Sequence, residues 1–454
     1  MMRREISPLN GRYADRLAEL PAYFSEFALM QARCEVELAW LEALERAGLC
    51  PRLSDAEHAR IDEARQSFSD ADFARIVEID RRIDHDVKAC ELFLREKLAL
   101  DRPQWIHFGL TSADVSNLAY GILLARFRDQ QQLPMLRALI ECLADRVEAW
   151  KTVVFPARTH GQPASPTTLG KELAVFLARL LRQARTLESH RFRGKLTGAT
   201  GTHAAAVAAF PDRDWMGLSA EFVESLGLEA NRCTTQVEDH DALAEYFAIV
   251  SRTNNIVCDL DRDLWEYISR GDLIERPVGR EVGSSTMPHK VNPIRFENSE
   301  GNVAISNALL HALCDKLTVS RMQRDLSDTT VERNIGVALA HSHLAIGQTL
   351  RGLERIDVDE DVLRSAVEST PEVLSEGYQT ILRSAGVDDP YELLRRLTRG
   401  ERVTLDRLHR FAEGLSVSDD VKARLRDLRP AEYVGQAESV CDGVLEDARR
   451  WLGP

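Results

Sequence analysis

A polar segment, residues 283 to 302, interrupts a chain that is otherwise rich in leucine and alanine. Ser284 and Ser285 follow a glycine there, and their hydroxyls could act as a base or a nucleophile. The backbone N–H groups of such a Gly-Ser-Ser turn can form an anion-binding nest. Lys290 adds a cation and Asn292 adds an amide. Glycine, serine and proline alone would favour a solvated surface loop, but this density of chemical groups indicates a site.

A second candidate group is His160, which has glycine and proline neighbours in the segment 157–164. An imidazole has an ordinary pKa of about 6.5, which suits proton transfer near neutral pH. A lone histidine is more often structural, so His160 taken alone stays a candidate for the general acid. Four other histidines are interpreted as structural, and no role is assigned to His203. These four are His58, His190, His311 and His409.

Composition restricts the class of protein. The chain has 454 residues and a net charge of -14, with acidic and basic residues interspersed. This balance argues against nucleic acid or a membrane surface as partner and favours small molecules or copies of the chain itself. The eight cysteines contain no CxxC pair, so we expect reduced thiols, no metal site and no cofactor. No apolar run reaches the ~20 residues of a membrane span and no signal-peptide core follows the start, so we expect a cytoplasmic protein.

The apolar residues repeat with helical spacing through most of the chain. One helix is predicted from Ser165 as N-cap to Leu187, and a second from Thr111 to Pro134, where proline should kink or end it. A third is predicted over residues 242–268. Alternating strand-like runs are scarce and no Gly-x-Gly-x-x-Gly follows a strand, so a dinucleotide-binding fold is excluded. The sequence therefore predicts an all-α protein.

The polar segment resembles the signature loop of the fumarase/aspartase superfamily, Gly-Ser-Ser-x-Met-Pro-x-Lys-x-Asn-Pro, at every fixed position. The variable positions of the loop hold Thr286 and His289, and in this respect the loop resembles that of the adenylosuccinate lyase branch of the superfamily. The resemblance extends along the chain. Further matching stretches are Asn10–Tyr13, Asp84–Lys88, His107–Asn117, Arg158–Pro163, Thr234–Gln236 and Ser320–Leu326.

The resemblance implies three helical domains. We place them at residues 1–101, 102–354 and 355–454, with the catalytic signature loop at residues 283–293 in the middle domain. It further implies that the middle domain is a long helical bundle that assembles into a homotetramer, and that each active site draws segments from three chains.

The resemblance also implies roles for individual residues in an anti elimination of fumarate from a succinylated amine. Ser284 is then the general base and His160 the general acid, while Lys290 and Asn292 stabilise charge that develops on a substrate carboxylate. His85 and His107 would orient the substrate or tune His160. The remaining residues implied to bind substrate are Arg12, Tyr13, Asp84, Asp86, Thr111, Ser112, Gln236, Asn298, Arg324, Thr329 and Arg333.

Three interpretations compete. The first is cleavage of adenylosuccinate to AMP and fumarate, and of the succinylated aminoimidazole carboxamide ribonucleotide. The second is another lyase of the superfamily that acts on an unphosphorylated amine or on malate, for which the His289 loop and the paired arginine sites are not expected. The third is a non-catalytic structural relative. The presence of Ser284, Lys290 and His160 favours an enzyme over the third interpretation.

Overall fold

The computed structural model describes residues 5–276, 286–287, 290–398 and 403–453. Helices form almost all of the regular structure in these ranges, which confirms the all-α prediction. Contacts group the chain into two units. The first contains Met1–Leu136, Gln183–Asn255 and Gly301–Ile346, and the second contains Arg137–Arg182, Ile256–Glu300 and Gly347–Pro454. The domain boundaries near residues 101 and 354 stay a prediction.

Ten α-helices of the described residues lie before residue 226. They are α1 (Pro21–Phe24), α2 (Glu26–Arg46), α3 (Asp55–Gln66), α4 (Asp70–Ile83), α5 (Asp86–Leu98), α6 (Ser112–Phe127), α7 (Leu133–Trp150), α8 (Leu169–Ser189), α9 (Ala204–Ala209) and α10 (Trp215–Ser225). Short 3-10 turns occur at Ala14–Arg16 and Pro103–Trp105.

The helices of the C-terminal half begin with the longest one of the described chain. They are α11 (Asp241–Arg270), α12 (Ile294–Leu317), α13 (Ser327–Glu332), α14 (Ile335–Leu353), α15 (Glu360–Glu368), α16 (Ser375–Ser384), α17 (Pro390–Thr398), α18 (Leu405–Glu413), α19 (Asp419–Asp427) and α20 (Ala437–Leu452). Short 3-10 turns occur at Pro371–Leu374 and Pro430–Glu432.

Each described strand has two residues and pairs with one other strand. Strands β1 and β4 pair antiparallel, as do β2 with β3 and β7 with β8, whereas β5 and β6 pair parallel. Their bounds are β1 (Val154–Phe155), β2 (Arg158–Thr159), β3 (Gln162–Pro163), β4 (Thr167–Thr168), β5 (Arg193–Gly194), β6 (Glu229–Ala230), β7 (Ile274–Glu275) and β8 (Ile356–Asp357).

The helices of the first unit begin at residues that satisfy free backbone N–H groups. The side chains of Ser25, Ser54, Ser69 and His85 accept a hydrogen bond from the first turn of α2, α3, α4 and α5 respectively. Thr111 begins α6 with a capping box, as its sequence predicts. Such caps contribute about 1 kcal/mol each to helix stability.

One predicted helix boundary was wrong, and of the two alternatives predicted for Pro134, a kink or an end, the structure rules out the end. The helix expected to start at Ser165 starts at Leu169, because Thr167 and Thr168 pair with β1 as strand β4. The hydroxyl of Thr168, rather than that of Ser165, accepts the hydrogen bond from the N–H of Lys171, at 3.2 Å. Pro134 does not end a helix. It lies in the first turn of α7, which follows α6 through a π-helical segment, Arg128–Gln132.

The core of the first unit forms where α2 packs on α6. Ala28, Leu29 and Ala32 of α2 meet Ala119 and Leu123 of α6, and all five are buried. Small residues on both helices permit a close approach of the two axes. This pairing fixes the position of α6, whose N-terminus carries two of the predicted site residues.

The C-terminal region has a separate hydrophobic cluster in the second unit. Leu374, Tyr378 and Leu382 pack there with Leu408 of α18 and Leu425 of α19. The sequence predicts short helical runs for this region, and the described elements α16 to α19 have ten residues or fewer each. In the described part of the chain, no helix is both long and apolar enough to cross a membrane.

Candidate active site

A cavity of about 640 Å³ opens in the first unit. This volume is typical of sites for small molecules. Most of the residues predicted to bind substrate line it, although they come from distant parts of the chain. They are Asp84, His85, Asp86, His107, Thr111, Ser112, Gln236, Arg324, Thr329 and Arg333.

The junction between α4 and α5 presents His85 to the cavity. Asp84 ends α4 with a left-handed φ of 53°, and His85 then begins α5 in an extended conformation. The Nδ1 of His85 accepts a hydrogen bond from the N–H of Lys88 at 3.2 Å, and its Nε2 lies 3.4 Å from the hydroxyl of Ser112. A neutral imidazole that accepts at Nδ1 carries its proton at Nε2. His85 therefore offers an N–H donor on the side of Ser112.

Asp86 binds two arginines rather than the neighbouring imidazole. Its Oδ2 lies 2.7 Å from Arg33 and 3.0 Å from Arg333. Burial alone would raise the pKa of Asp86, but the charges of Arg33 and Arg333 outweigh it and lower the pKa below its ordinary value. Asp86 is thus charged and holds both guanidinium groups at the cavity wall.

One carboxylate that does face an imidazole is Glu37, in the middle of α2. Its Oε1 lies 2.6 Å from Nδ1 of His107, and Glu37 is fully buried. Burial lowers the pKa of His107, but the hydrogen bond and charge of Glu37 outweigh it, so the pKa is raised. His107 has a left-handed φ of 66°, a conformation that few side chains adopt without surrounding constraint. The cavity therefore contains a second histidine, whose protonated form is favoured.

The N-terminus of α6 lies against the cavity at Thr111 and Ser112. Asp114 accepts hydrogen bonds from the N–H and the hydroxyl of Thr111, at 2.8 and 3.1 Å. The hydroxyl proton of Thr111 is therefore engaged within the helix, whereas the N-terminal backbone N–H groups and the helix dipole favour an anion at this end. Ser112 adds a hydroxyl beside His85.

Two further cavity residues, Arg324 and Thr329, come from the segment that follows α12. Arg324 donates to Asp328 at 3.2 Å and to the hydroxyl of Thr329 at 3.5 Å. Gln236 is held by its backbone N–H, which donates to the carbonyl of Gln323 at 3.2 Å. Its side-chain amide donates to the carbonyl of Ala199 at 3.0 Å.

Six further predicted site residues within the described ranges are not part of this cavity lining. Arg12 is exposed and Tyr13 half-buried in the N-terminal part of the first unit. His160, Lys290, Asn292 and Asn298 belong to the second unit, where His160 and Lys290 are exposed and the two asparagines are half-buried. Ser284, Ser285 and His289 lie outside the described residues, so their predicted roles stay predictions.

His160 stands at the tip of a hairpin. Strands β2 and β3 pair Thr159 with Gln162, which leaves His160 and Gly161 as a two-residue loop. Both loop residues have positive φ, 52° and 74°, as in the type I′ turns that join short antiparallel strands. Arg158 donates to the carbonyl of Gly161 at 3.1 Å. The hairpin therefore presents His160 to solvent on a defined backbone.

Comparisons with known proteins assign the chain to a family. A family model described as lyase matches residues 11–306, and one described as adenylosuccinate lyase C-terminal matches residues 320–434. Adenylosuccinate lyase of Escherichia coli is 43% identical over 446 residues, which cover 96% of this chain and 98% of that protein. The corresponding protein of Haemophilus influenzae is 44% identical, with 95% and 96% covered. The chain belongs to the adenylosuccinate lyase family. It is therefore an enzyme, a lyase.

Solved structures of more distant proteins share the fold of this adenylosuccinate lyase family member. A fumarate lyase from a Mesorhizobium species superposes with a TM-score of 0.78 at 19% identity, covering 95% of this chain and 97% of that one. The 3-carboxy-cis,cis-muconate lactonizing enzyme from Pseudomonas putida gives a TM-score of 0.78 at 23% identity, covering 96% and 98%. At such identities the likeness concerns the fold alone.

Arg33 and His240 line the cavity of this family member and were not predicted from the sequence, nor were the buried residues Glu37 and Lys195, which are outside its lining. Arg33 and Glu37 lie four residues apart on the buried face of α2, and two charges within an apolar helical stripe are a readable signal of a buried polar site. Lys195 and His240 carry no such local signal, because their charged partners Asp114 and Glu332 lie 81 and 92 residues away in the sequence. Within the described ranges, no group of three or more His, Cys, Asp or Glu side chains is placed to hold a metal ion.

Proposed function

We propose that the chain cleaves adenylosuccinate to AMP and fumarate, and cleaves the succinylated aminoimidazole carboxamide ribonucleotide in the same way. The proposal rests on one feature: the cavity combines Arg33, Arg324 and Arg333 with the N-terminus of α6. A succinylated nucleotide carries a phosphate and two carboxylates, so it needs several separate anion-binding groups. Membership of the adenylosuccinate lyase family supports this choice over a lyase for an unphosphorylated substrate.

Arg324 and Thr329 are suited to the phosphate. A guanidinium has five N–H donors in a planar fork that matches phosphate oxygens. Within the described residues, the bonds to Asp328 and Thr329 use two of them. Arg333 is held between Asp86 and Glu26, which fixes its guanidinium before a ligand arrives. Arg12 and Tyr13 belong to the same proposal through the family resemblance.

The N-terminus of α6 and its neighbours are suited to the succinyl carboxylates. Ser112 offers a hydroxyl and helix N–H groups, and His85 offers its Nε2–H beside that hydroxyl. His107, whose pKa Glu37 raises, adds positive charge to the same cavity. Gln236 and Thr111 complete the residues proposed for this part of the substrate, together with Asn298.

The proton transfers are assigned to Ser284 and His160. Ser284, as an alkoxide, removes the proton from the carbon beside a substrate carboxylate, and the electron pair moves onto that carboxylate to form a dianion. Lys290 and Asn292 stabilise this charge. The pair then forms the double bond of fumarate while the C–N bond breaks, and protonated His160 gives its proton to the leaving nitrogen. The base and the acid act on opposite faces, so the elimination is anti.

The shared architecture of the family supports two further parts of the proposal. The functional protein is a homotetramer in which the three catalytic segments of one site come from three chains. The middle domain, residues 102–354, provides the bundle through which the chains associate. A cytoplasmic location and activity without metal or organic cofactor are expected for such a protein.

An absorbance assay of the purified protein tests the function. We expect adenylosuccinate to be consumed with equal formation of AMP and fumarate, in buffer containing EDTA. Argininosuccinate and malate serve as matched substrates for the alternative lyases. Turnover of either one in place of adenylosuccinate would reject the proposal, and no turnover of any of them would favour a non-catalytic relative.

A further inference from the structure

The imidazole of His240 lies between two segments that are distant in the sequence. Its Nδ1 is 3.2 Å from the carbonyl oxygen of Leu317, and its Nε2 is 3.2 Å from Oε1 of Glu332. Both partners are hydrogen-bond acceptors, so both ring nitrogens must carry a proton to donate. The ring is therefore an imidazolium. It is buried, with the side chain of His240 only 6% exposed and that of Glu332 9% exposed.

The two contacts lie at the two ends of one segment. Leu317 is the last residue of α12 and Glu332 is the last residue of α13. The C-terminal carbonyls of a helix have no partner within it, and a cationic donor is favourable there. We call residues 318–331 the arginine segment, because it carries Arg324 and Thr329 to the cavity. The His240 ring thus closes the arginine segment at both ends.

The arginine segment has few apolar anchors of its own. Val319, Met322 and Leu326 are 61%, 90% and 69% exposed, and Met322 has a left-handed φ of 52°. Its shape relies on polar contacts. Asp325 accepts from the N–H of Arg321 at 3.1 Å, and the carbonyl of Gln323 accepts from Gln236. Order in such a segment is expected to depend on the buried groups at its ends.

The backbone of His240 is itself fixed. It has a left-handed φ of 62° directly before α11, and its N–H donates to Glu238 at 2.7 Å. Its carbonyl accepts from Ala244 in the first turn of that helix, at 2.9 Å. The ring therefore projects from the start of the longest described helix. Because the backbone there is held by hydrogen bonds, the ring can fix the position of the arginine segment.

We infer that His240 is a positioning residue that holds Arg324 and Thr329 in place for the phosphate of the substrate. This inference rests on the proposed function for the identity of the ligand. Removal of the ring would release both ends of the arginine segment and would leave the Glu332 carboxylate buried without its cation. The effect should fall on binding of the phosphorylated part of the substrate rather than on proton transfer.

The first experiment requires no substrate. Hydrogen–deuterium exchange is compared in the full-length protein for the wild type, His240→Gln and the control His58→Gln. His58 also pairs with a carboxylate, Glu45, but its side chain is 40% exposed and it is not part of the cavity lining. We expect peptides that cover residues 318–332 to exchange at least ~10-fold faster in His240→Gln only. Unchanged exchange of these peptides would overturn the inference.

The second experiment separates binding from turnover. We expect His240→Gln to raise KM for adenylosuccinate and the inhibition constant of AMP by ~10-fold or more, while kcat and inhibition by fumarate change by less than ~3-fold. A fall in kcat with KM and AMP inhibition unchanged would overturn the positioning role. Faster exchange of residues 318–332 without a change in AMP inhibition would overturn it as well.

Glu332→Gln gives a second route if His240→Gln does not fold. The amide keeps an acceptor for the imidazole and removes the charge, so we expect the same pattern with smaller changes. The double variant His240→Gln/Glu332→Gln removes the unpaired buried carboxylate and should restore part of the lost AMP affinity. If the wild type had no activity on adenylosuccinate, the proposed function would fail, but AMP binding and the exchange data would still decide the role of His240.

Discussion

Asp114 and Lys195 form an ion pair in which both side chains are fully buried, with Nζ 2.7 Å from Oδ1. The same carboxylate oxygen accepts from the N–H groups of Thr197 and Gly198, at 3.0 and 3.3 Å. The other oxygen accepts from Thr111 at the start of α6. One buried carboxylate therefore joins the cavity end of α6 to the loop that follows β5.

The first prediction concerns Asp114→Asn. Loss of the carboxylate leaves the Lys195 ammonium buried without its counter-ion, and burial already lowers the pKa of Lys195. Breaking a buried pair in this way costs about 3–5 kcal/mol. We therefore expect the unfolding free energy of Asp114→Asn, measured by urea denaturation, to fall by about this amount. Glu229→Gln is the control, since Glu229 and Arg193 form an exposed pair whose loss should cost under about 1 kcal/mol. Equal losses in the two variants would contradict the role assigned to Asp114.

The second prediction concerns the pairing of Glu37 with His107. In Glu37→Gln the pKa of His107 should fall, because the negative charge that raises it is lost while burial remains and the amide keeps only a neutral acceptor. The imidazolium of His107 then loses its proton at a lower pH than in the wild type. We expect KM for the anionic substrate to rise by ~10-fold at neutral pH and to recover as the pH is lowered.

The measurement is KM as a function of pH for three proteins. Glu35→Gln is the matched control on the same helix, because Glu35 pairs with Arg126 at a half-exposed site. Its pH profile should coincide with that of the wild type. A Glu37→Gln profile parallel to the wild-type one would mean that His107 does not act through its charge.

The third prediction is a pH dependence of stability that originates from His240. Burial lowers the pKa of His240, but Glu332 outweighs it, and Glu238 and Asp328 add to the increase. A histidine whose folded pKa is raised contributes stability that is fully present below its unfolded value of about 6.5 and is lost as the pH rises through the folded value. The unfolding free energy of the wild type minus that of the double variant His240→Gln/Glu332→Gln, which has no unpaired carboxylate, should therefore decrease from mildly acidic to mildly alkaline pH. A difference that increases with pH would refute the assignment.

Local signals in the sequence account for much of the fold. The capping box at Thr111 and the apolar periodicity of residues 242–268 predicted helix boundaries that the structure confirms. Ser165 failed as an N-cap because pairing of β4 with β1, a contact between segments, outweighed local propensity. The cavity shows the same division. Its residues were named by motif, but the partners of Asp86, His107 and His240 depend on long-range contacts that one sequence does not reveal.

The fourth prediction concerns the proposed proton transfers. Ser284→Ala and His160→Ala should each lower kcat by at least ~100-fold with the fold intact, as judged by circular dichroism and thermal unfolding. Ser285→Ala should have a milder effect and serves as the matched control at the adjacent hydroxyl. If Ser285→Ala lost as much activity as Ser284→Ala or more, the base would be Ser285.

The last prediction tests whether active sites are shared between chains. Ser284 and His160 are 124 positions apart in the sequence, and under the proposed shared-site architecture they come from different chains of a tetramer. Two inactive variants, His160→Ala and Ser284→Ala, would then form mixed oligomers in which some sites receive both native residues. We expect mixing under conditions of subunit exchange to restore activity up to ~one quarter of the wild-type value, the limit for random assortment at two independent positions.

Two controls make the mixing experiment decisive. Mass spectrometry of differently labelled chains must demonstrate that subunits exchange, and mixing His160→Ala with itself must leave activity unchanged. A further control mixes the double variant, which carries both substitutions on one chain, with the wild type. The activity of this mixture should not exceed the activity of the wild-type chains that it contains. Verified exchange with activity still at the level of the separate variants would place Ser284 and His160 of one site on a single chain, and the shared-site architecture would then be rejected for this protein.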